Sequence, residues 1–214
     1  MQPETIQFLI IYALPVLLAI TIHEASHAYA ARRFGDDTAY LAGRMTLNPL
    51  KHIDPLGTII VPALSIALGG WIFGWAKPVP VNPARFRRIR QDMAWVAFAG
   101  PLANFFMALS WGVLHHLALN MTGEFALPFM LMSQAGIHIN YLLMVFNLLP
   151  ILPMDGGRIM QSLLFNRHYA DLYARTEPYG TWLLIALLAS GLLSGFLRYC
   201  LQHLMQLTDW LIPF

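Results

Sequence analysis

The stretch Ile20-Thr21-Ile22-His23-Glu24-Ala25-Ser26-His27-Ala28-Tyr29-Ala30-Ala31 places two imidazoles and a carboxylate inside an apolar run that begins at Ile6. Glu24 is the only charged side chain in that run before Arg32. Residues four apart lie on one helix face, one turn apart, so His23 and His27 can grip a single Zn²⁺. Glu24 projects beside them, where a carboxylate can take a proton from an activated water. Ionisable groups inside a membrane span are costly and mark function. The stretch therefore reads as a hydrolytic zinc site carried on a membrane helix.

Composition agrees. The 214-residue chain is 57% hydrophobic and 11% charged, against roughly 25% charged for a soluble domain. Its mean hydropathy is +0.56. Several stretches approach the ~20 apolar residues that cross a hydrocarbon core. The expected class is an all-α multi-pass membrane protein, with residues 1–214 forming a single membrane-embedded domain. A net charge of +2 names no partner. The cluster Arg85, Arg87, Arg88 and Arg90 lies beside apolar spans and sets membrane orientation, so no nucleic acid is expected. Cys200 is the sole cysteine and excludes an intramolecular disulfide. The first apolar run lacks a basic leader and is too long for a cleaved signal, so it reads as a retained span.

Apolar segments fall near 6–31, 56–75, 93–119, 127–150 and 179–197, followed by an amphipathic stretch at 199–213. That is about five to six membrane segments. Lys and Arg concentrate in 32–51, 77–90 and 158–175, which the positive-inside rule makes cytoplasmic. If both 32–51 and 77–90 are inside, 56–75 must enter the membrane and return on the same side. The strings Gly43-Arg44-Met45-Thr46-Leu47 and Lys77-Pro78-Val79-Pro80-Val81 read as strands, predicting a small cytoplasmic-side β-sheet with the prolines at an edge. With that re-entrant loop, segment 127–150 returns inward and delivers residue 155 to the depth of His23 and His27.

A catalytic zinc takes three protein ligands and keeps one position open. The Ala28–Thr38 region offers neither Glu nor His. The strongest third ligand is Asp155, in Asn147-Leu148-Leu149-Pro150-Ile151-Leu152-Pro153-Met154-Asp155-Gly156-Gly157. Taken alone, Asp155 reads as the N-cap of a helix from Gly156 to Phe165; taken with the histidine pair, ligation is favoured. Asn147, where the proline-rich loop begins, reads either as a substrate-binding amide or as a helix cap serving carbonyls that Pro150 frees.

A membrane-embedded His-Glu-x-x-His followed by Asn-x-x-Pro-x-x-Pro-x-Asp-Gly-Gly resembles the site-2 protease family of intramembrane zinc metalloproteases. Gly100-Pro101-Leu102-Ala103-Asn104 is similar to that family's Gly-Pro-x-x-Asn element. The tract Asn48–Gly57 resembles a compact bacterial subgroup, without the PDZ or nucleotide-sensing modules of larger relatives. The resemblance implies one Zn²⁺ on His23, His27 and Asp155, Glu24 as catalytic base, and a role for Asn147 in substrate binding. It also implies a transmembrane protein substrate, a bacterial cytoplasmic membrane, and an active site opening to the cytoplasm. His52 is expected to serve loop structure, and Asn140 to make interhelical hydrogen bonds. The competing reading is a non-catalytic metal-binding membrane protein or metal transporter. Substrate identity and oligomeric state are not encoded in these motifs.

Overall fold

A computed structural model of the chain describes residues 3–60, 76–164 and 166–212. Its α-helices are α1 (Pro3–Arg33), α2 (Thr38–Leu41), α3 (Ile89–Leu119), α4 (Ala126–Asn147), α5 (Asp155–Leu163), α6 (Arg167–Ala174), α7 (Glu177–Ala189) and α8 (Leu192–Leu211). Within the described residues, three stretches are long and apolar enough to cross a membrane: Ile11–Arg33, Ile89–Leu119 and Ala126–Asn147. A fourth follows if α7 and α8, bent by 79° at their junction, are one span.

Helices α1, α3 and α4 pack against one another and form the centre of the bundle. The buried face of α1 is built from small residues: Ala19, Ala25, Ala28 and Ala31 are each at most 2% exposed. Lipid tails are as apolar as leucine, so helices in a membrane associate by close packing, which small side chains permit. The main cluster joins Ala108 and Trp111 of α3 to Ile137 and Tyr141 of α4, with Leu18 and Phe105 against it. A second cluster, Leu149, Leu184, Leu193 and Leu197, ties the loop after α4 to α7 and α8. The Tyr141 hydroxyl and Thr208 Oγ1 share a hydrogen bond that links α4 to α8.

Two expectations are corrected. The predicted sheet is absent: among the described residues there is no strand, and every regular element there is a helix. The first string turns instead of extending. Gly43 takes φ +65°, and the Arg44 amide bonds back to the Ala39 carbonyl at 2.8 Å. In the second string, Pro78 and Pro80 have no N–H to give a ladder. Its Lys77 and Val79 amides go instead to the His52 carbonyl and the Glu24 carboxylate. The count of five to six segments is corrected to three or four among the described residues. The expected re-entrant loop at 56–75 lies, beyond Ile60, outside those residues.

The turn after α1 is organised by Asp36, which is fully buried. Its Oδ1 accepts from the Thr38 amide at 3.0 Å and from the Thr38 hydroxyl, and its Oδ2 accepts from the Asn82 amide at 2.6 Å. Burial alone would raise its pKa. The Thr38 hydroxyl, the Asn82 and Thr38 amides and the Arg85 charge outweigh it and hold the group below the ordinary 3.8. A carboxylate depressed in the folded state adds stability that is complete above its unfolded pKa and is lost as pH falls towards the folded one. Thermal unfolding of the metal-free protein should therefore show wild type above Asp36→Asn near neutral pH. The gap should narrow as pH drops below about 4; a gap constant down to pH 2 would contradict this.

Candidate metal centre and catalytic site

His23 and His27 stand one turn apart on α1, both buried. Asp155 is the first residue of α5, and the N-cap position belongs to Met154. The N-cap alternative is therefore not what the structure displays. Instead the aspartate Oδ2 lies 3.3 Å from Nε2 of His23 and 3.3 Å from Nε2 of His27. The two Nε2 atoms are 3.1 Å apart. One potential ligand atom from each of the three residues lies within 4.8 Å of the others.

The protons of this trio decide its chemistry. Nδ1 of His23 donates to Oδ1 of Asn104 at 2.6 Å, and Nδ1 of His27 donates to the Val96 carbonyl at 2.7 Å. The orientation of the Asn104 amide is itself fixed. Its Nδ2 donates to Oδ1 of Asn140 at 2.9 Å, and Asn140 Nδ2 ends the chain on the Gly136 carbonyl at 2.8 Å. A backbone carbonyl only accepts, so every donor in the chain points the same way and the His23 proton sits on Nδ1. The Val96 carbonyl does the same for His27. In the neutral imidazoles both Nε2 atoms are then lone pairs that face each other and Asp155 Oδ2, a buried atom without a hydrogen-bond partner among the described residues. Three mutually facing acceptors repel unless a cation lies between them. Two imidazoles and one carboxylate are also a known catalytic zinc set, with the second ring nitrogen of each histidine held by an outer partner. The residues fit the ion.

Each of these three side chains is placed by a specific local feature. α3 lies so close that a Cβ on Gly100 would fall 2.5 Å from His27 Nε2 and 2.6 Å from His23 Cε1. Pro101, next along, lacks an N–H and interrupts the helical ladder at the Ala97 carbonyl, beside the Val96 carbonyl that binds His27. Asp155 is presented by the doubled proline loop. A Cβ on Gly156 would overlap the Leu148 carbonyl at 2.2 Å, and one on Gly157 would meet the Leu152 amide at 2.5 Å. The loop is fastened from outside as well. The Tyr173 hydroxyl donates to the Pro150 carbonyl at 2.7 Å, and Arg158 pairs with Glu177 at 3.5 Å.

Glu24 is half-buried beside the trio, and its Oε2 accepts the Val79 amide at 2.9 Å. Asn147 is the last residue of α4, and its Nδ2 donates to the Leu143 carbonyl at 3.0 Å within its own helix. His52 is buried away from the trio, with Nε2 on the Thr46 carbonyl at 2.9 Å. Asn140 makes the expected interhelical bond. What the sequence did not single out is Asn104 as the group that orients His23. Its signal was the Gly100-Pro101-x-x-Asn104 spacing, which puts a small residue and an amide on one face of α3 one turn apart. Interhelical hydrogen bonds in membranes average only about 0.6 kcal/mol, so this network orients the ligand more than it stabilises the bundle. Asn104→Ala should weaken zinc binding by about 10–100-fold and leave the helical content unchanged. Zinc titration against a competing chelator measures this; wild-type affinity would refute it.

Chemically the trio is a donor set suited to the zinc of a peptidase, with the two histidines on a helix of membrane-crossing length and the aspartate on the nine-residue α5. The comparisons with known proteins agree. Residues 124–191 match the model of Peptidase family M50. The chain is 38% identical over 181 residues to YwhC of Bacillus subtilis, which carries a provisional zinc-metalloprotease name; the match covers 83% of this chain and 79% of that protein. It is 31% identical to Rip2 of Mycolicibacterium smegmatis, also provisionally named a zinc metalloprotease, over 83% of this chain and 66% of the relative. The Rip2 protein of Mycobacterium tuberculosis is 32% identical over 69% of this chain and 55% of its own length. No solved structure gives a significant match. The chain belongs to peptidase family M50, the site-2 proteases, and is a membrane-embedded zinc metalloprotease.

Proposed function

We propose that residues 1–214 form one catalytic domain in which His23, His27 and Asp155 hold zinc, Glu24 is the general base, and Asn147 binds substrate. The bond cleaved lies within or near a transmembrane segment of another membrane protein. The observation that carries this reading is the convergence of Nε2 of His23 and His27 on Asp155 Oδ2, with each Nδ1 held against an outer acceptor.

When bound, zinc supplies Lewis acidity, polarising the scissile carbonyl and lowering the pKa of a water towards about 7. The protein's own groups do the rest. Asn104 and Val96 keep both imidazoles in the ligating tautomer. Glu24, adjacent in sequence to His23, takes the proton of the attacking water and returns it to the leaving amine. Asn147 spends one amide hydrogen on Leu143; its second serves a carbonyl of the unwound substrate. An intact helix hides its carbonyls in its own hydrogen bonds, so cleavage requires local unwinding of the substrate. The basic regions 32–51, 77–90 and 158–175 support an orientation in a bacterial cytoplasmic membrane, with the site opening to the cytoplasm.

The test is reconstitution in vesicles with a model substrate, a leucine-alanine transmembrane segment with a central Gly-Pro break. Zinc-dependent cleavage mapped to that break, without zinc flux, is the expected result. Zinc flux without cleavage would support the transporter reading.

A further inference from the structure

The mechanism above uses Glu24 but leaves open what aims it. Its backbone neighbours on α1 fix where the Cβ starts, not where the carboxylate ends. The side chain is tethered from a distant segment, by the Val79 amide at 2.9 Å. Val79 sits between Pro78 and Pro80. The prolines fix their own φ, and each drives the residue before it into extended backbone. Lys77 to Val81 is therefore a stiff strap without helical or sheet support. It is anchored on either side of Val79. Upstream, the Lys77 amide donates to the His52 carbonyl at 3.0 Å, and the Lys77 carbonyl accepts from Nη2 of Arg44 at 2.6 Å. Downstream, the Asn82 amide donates to Asp36.

Arg44 is the unusual member. Only 8% of it is exposed, and its Nε is buried without a hydrogen-bond partner among the described residues. Burying a guanidinium is costly unless its bonds repay it. Here the strong bond visible is to one backbone carbonyl, two residues from the amide that holds the base. No acidic side chain bonds it among the described residues. A residue kept only to staple the loop would not need a charge: the strap already has the His52 and Asp36 anchors.

We propose that Arg44 is a positioning residue for catalysis: through Lys77 and the proline-stiffened strap it sets the Val79 amide that aims the Glu24 carboxylate. The inference rests on Glu24 acting as the base. Arg44 is not one of the three candidate metal ligands, and its bond is to the strap. Its effect is on how often the carboxylate is in line with the water, and a misplacement of about 1 Å can cost a hundredfold in rate.

The experiment uses the full-length protein in vesicles with the Gly-Pro-broken model segment as substrate, reading kcat, KM and zinc per chain. Arg44→Ala should lower kcat by about tenfold to a hundredfold, with KM and zinc content unchanged, and Arg44→Lys should restore part of it. Val79→Pro removes the amide hydrogen while keeping the extended backbone, and should lower kcat to a similar extent. The double variant should be no slower than Val79→Pro alone, because both changes cut one chain of contacts. Multiplicative losses in the double variant, wild-type kcat in Val79→Pro, or zinc loss in Arg44→Ala would each overturn the proposal. If Arg44→Ala fails to fold, Arg44→Lys decides: a kcat below wild type at unchanged KM and zinc content supports the proposal, and wild-type kcat overturns it. Failure of the underlying reading looks different: Glu24→Gln would then be active, whatever Val79→Pro does.

Discussion

Glu24→Gln should retain one zinc per chain and lose cleavage of a transmembrane model substrate by about 10²–10⁴-fold in kcat, the range that a positioned general base supplies. The substitution is close to isosteric, and the new amide can still accept the Val79 N–H, so the strap keeps its anchor. What disappears is the lone pair that takes the proton from water and returns it to the departing amine. Zinc should be undisturbed because the proposed ligand atoms are those of His23, His27 and Asp155, which the change does not touch. Turnover within a few-fold of wild type would remove Glu24 from the role of base.

Gly100→Ala is expected to have the second-largest effect, although residue 100 is neither a ligand nor a base. A methyl there would fall 2.5 Å from His27 Nε2 and 2.6 Å from His23 Cε1. The imidazoles have little room to yield. Each is pinned at Nδ1, one by Asn104 and the other by the Val96 carbonyl. Either α3 shifts away from α1, breaking those bonds, or an Nε2 leaves the trio. Both outcomes weaken zinc binding by at least the 10–100-fold that accompanies loss of an outer-shell partner, and activity falls with it. Helical content should hold, since the Trp111, Ile137 and Tyr141 cluster lies elsewhere along α3 and α4. Full zinc occupancy in a folded Gly100→Ala variant would show that the tight α1–α3 approach is not what shapes the site.

These two predictions draw on different parts of the sequence, and the difference explains what was legible. The pairing of His23 with His27 follows from helical periodicity alone. The approach of Asp155 to them was readable because prolines 150 and 153 force an extended path and the two glycines that follow carry no Cβ to block it. The tracts that misled were short. Gly43–Leu47 and Lys77–Val81 have the alternation of strands, but pairing is decided by where the amides go. The Arg44 amide goes back to Ala39, Lys77 to His52 and Val79 to Glu24, so none of these three is given to a ladder. The Asn104–His23 bond spans 81 positions and the Val79–Glu24 bond spans 55. Contacts of that kind have no local periodicity. They become visible only after α3 and the strap are laid against α1.

The claim on which the rest depends is that two segments more than a hundred residues apart close around one ion. X-ray absorption at the zinc edge, on purified wild type beside Asp155→Ala, tests it most directly. The account predicts one zinc per wild-type chain, with two imidazole nitrogens and a carboxylate oxygen at about 2.0–2.2 Å, and loss of that zinc in the variant. Stoichiometric zinc with the same coordination sphere in folded Asp155→Ala would contradict it.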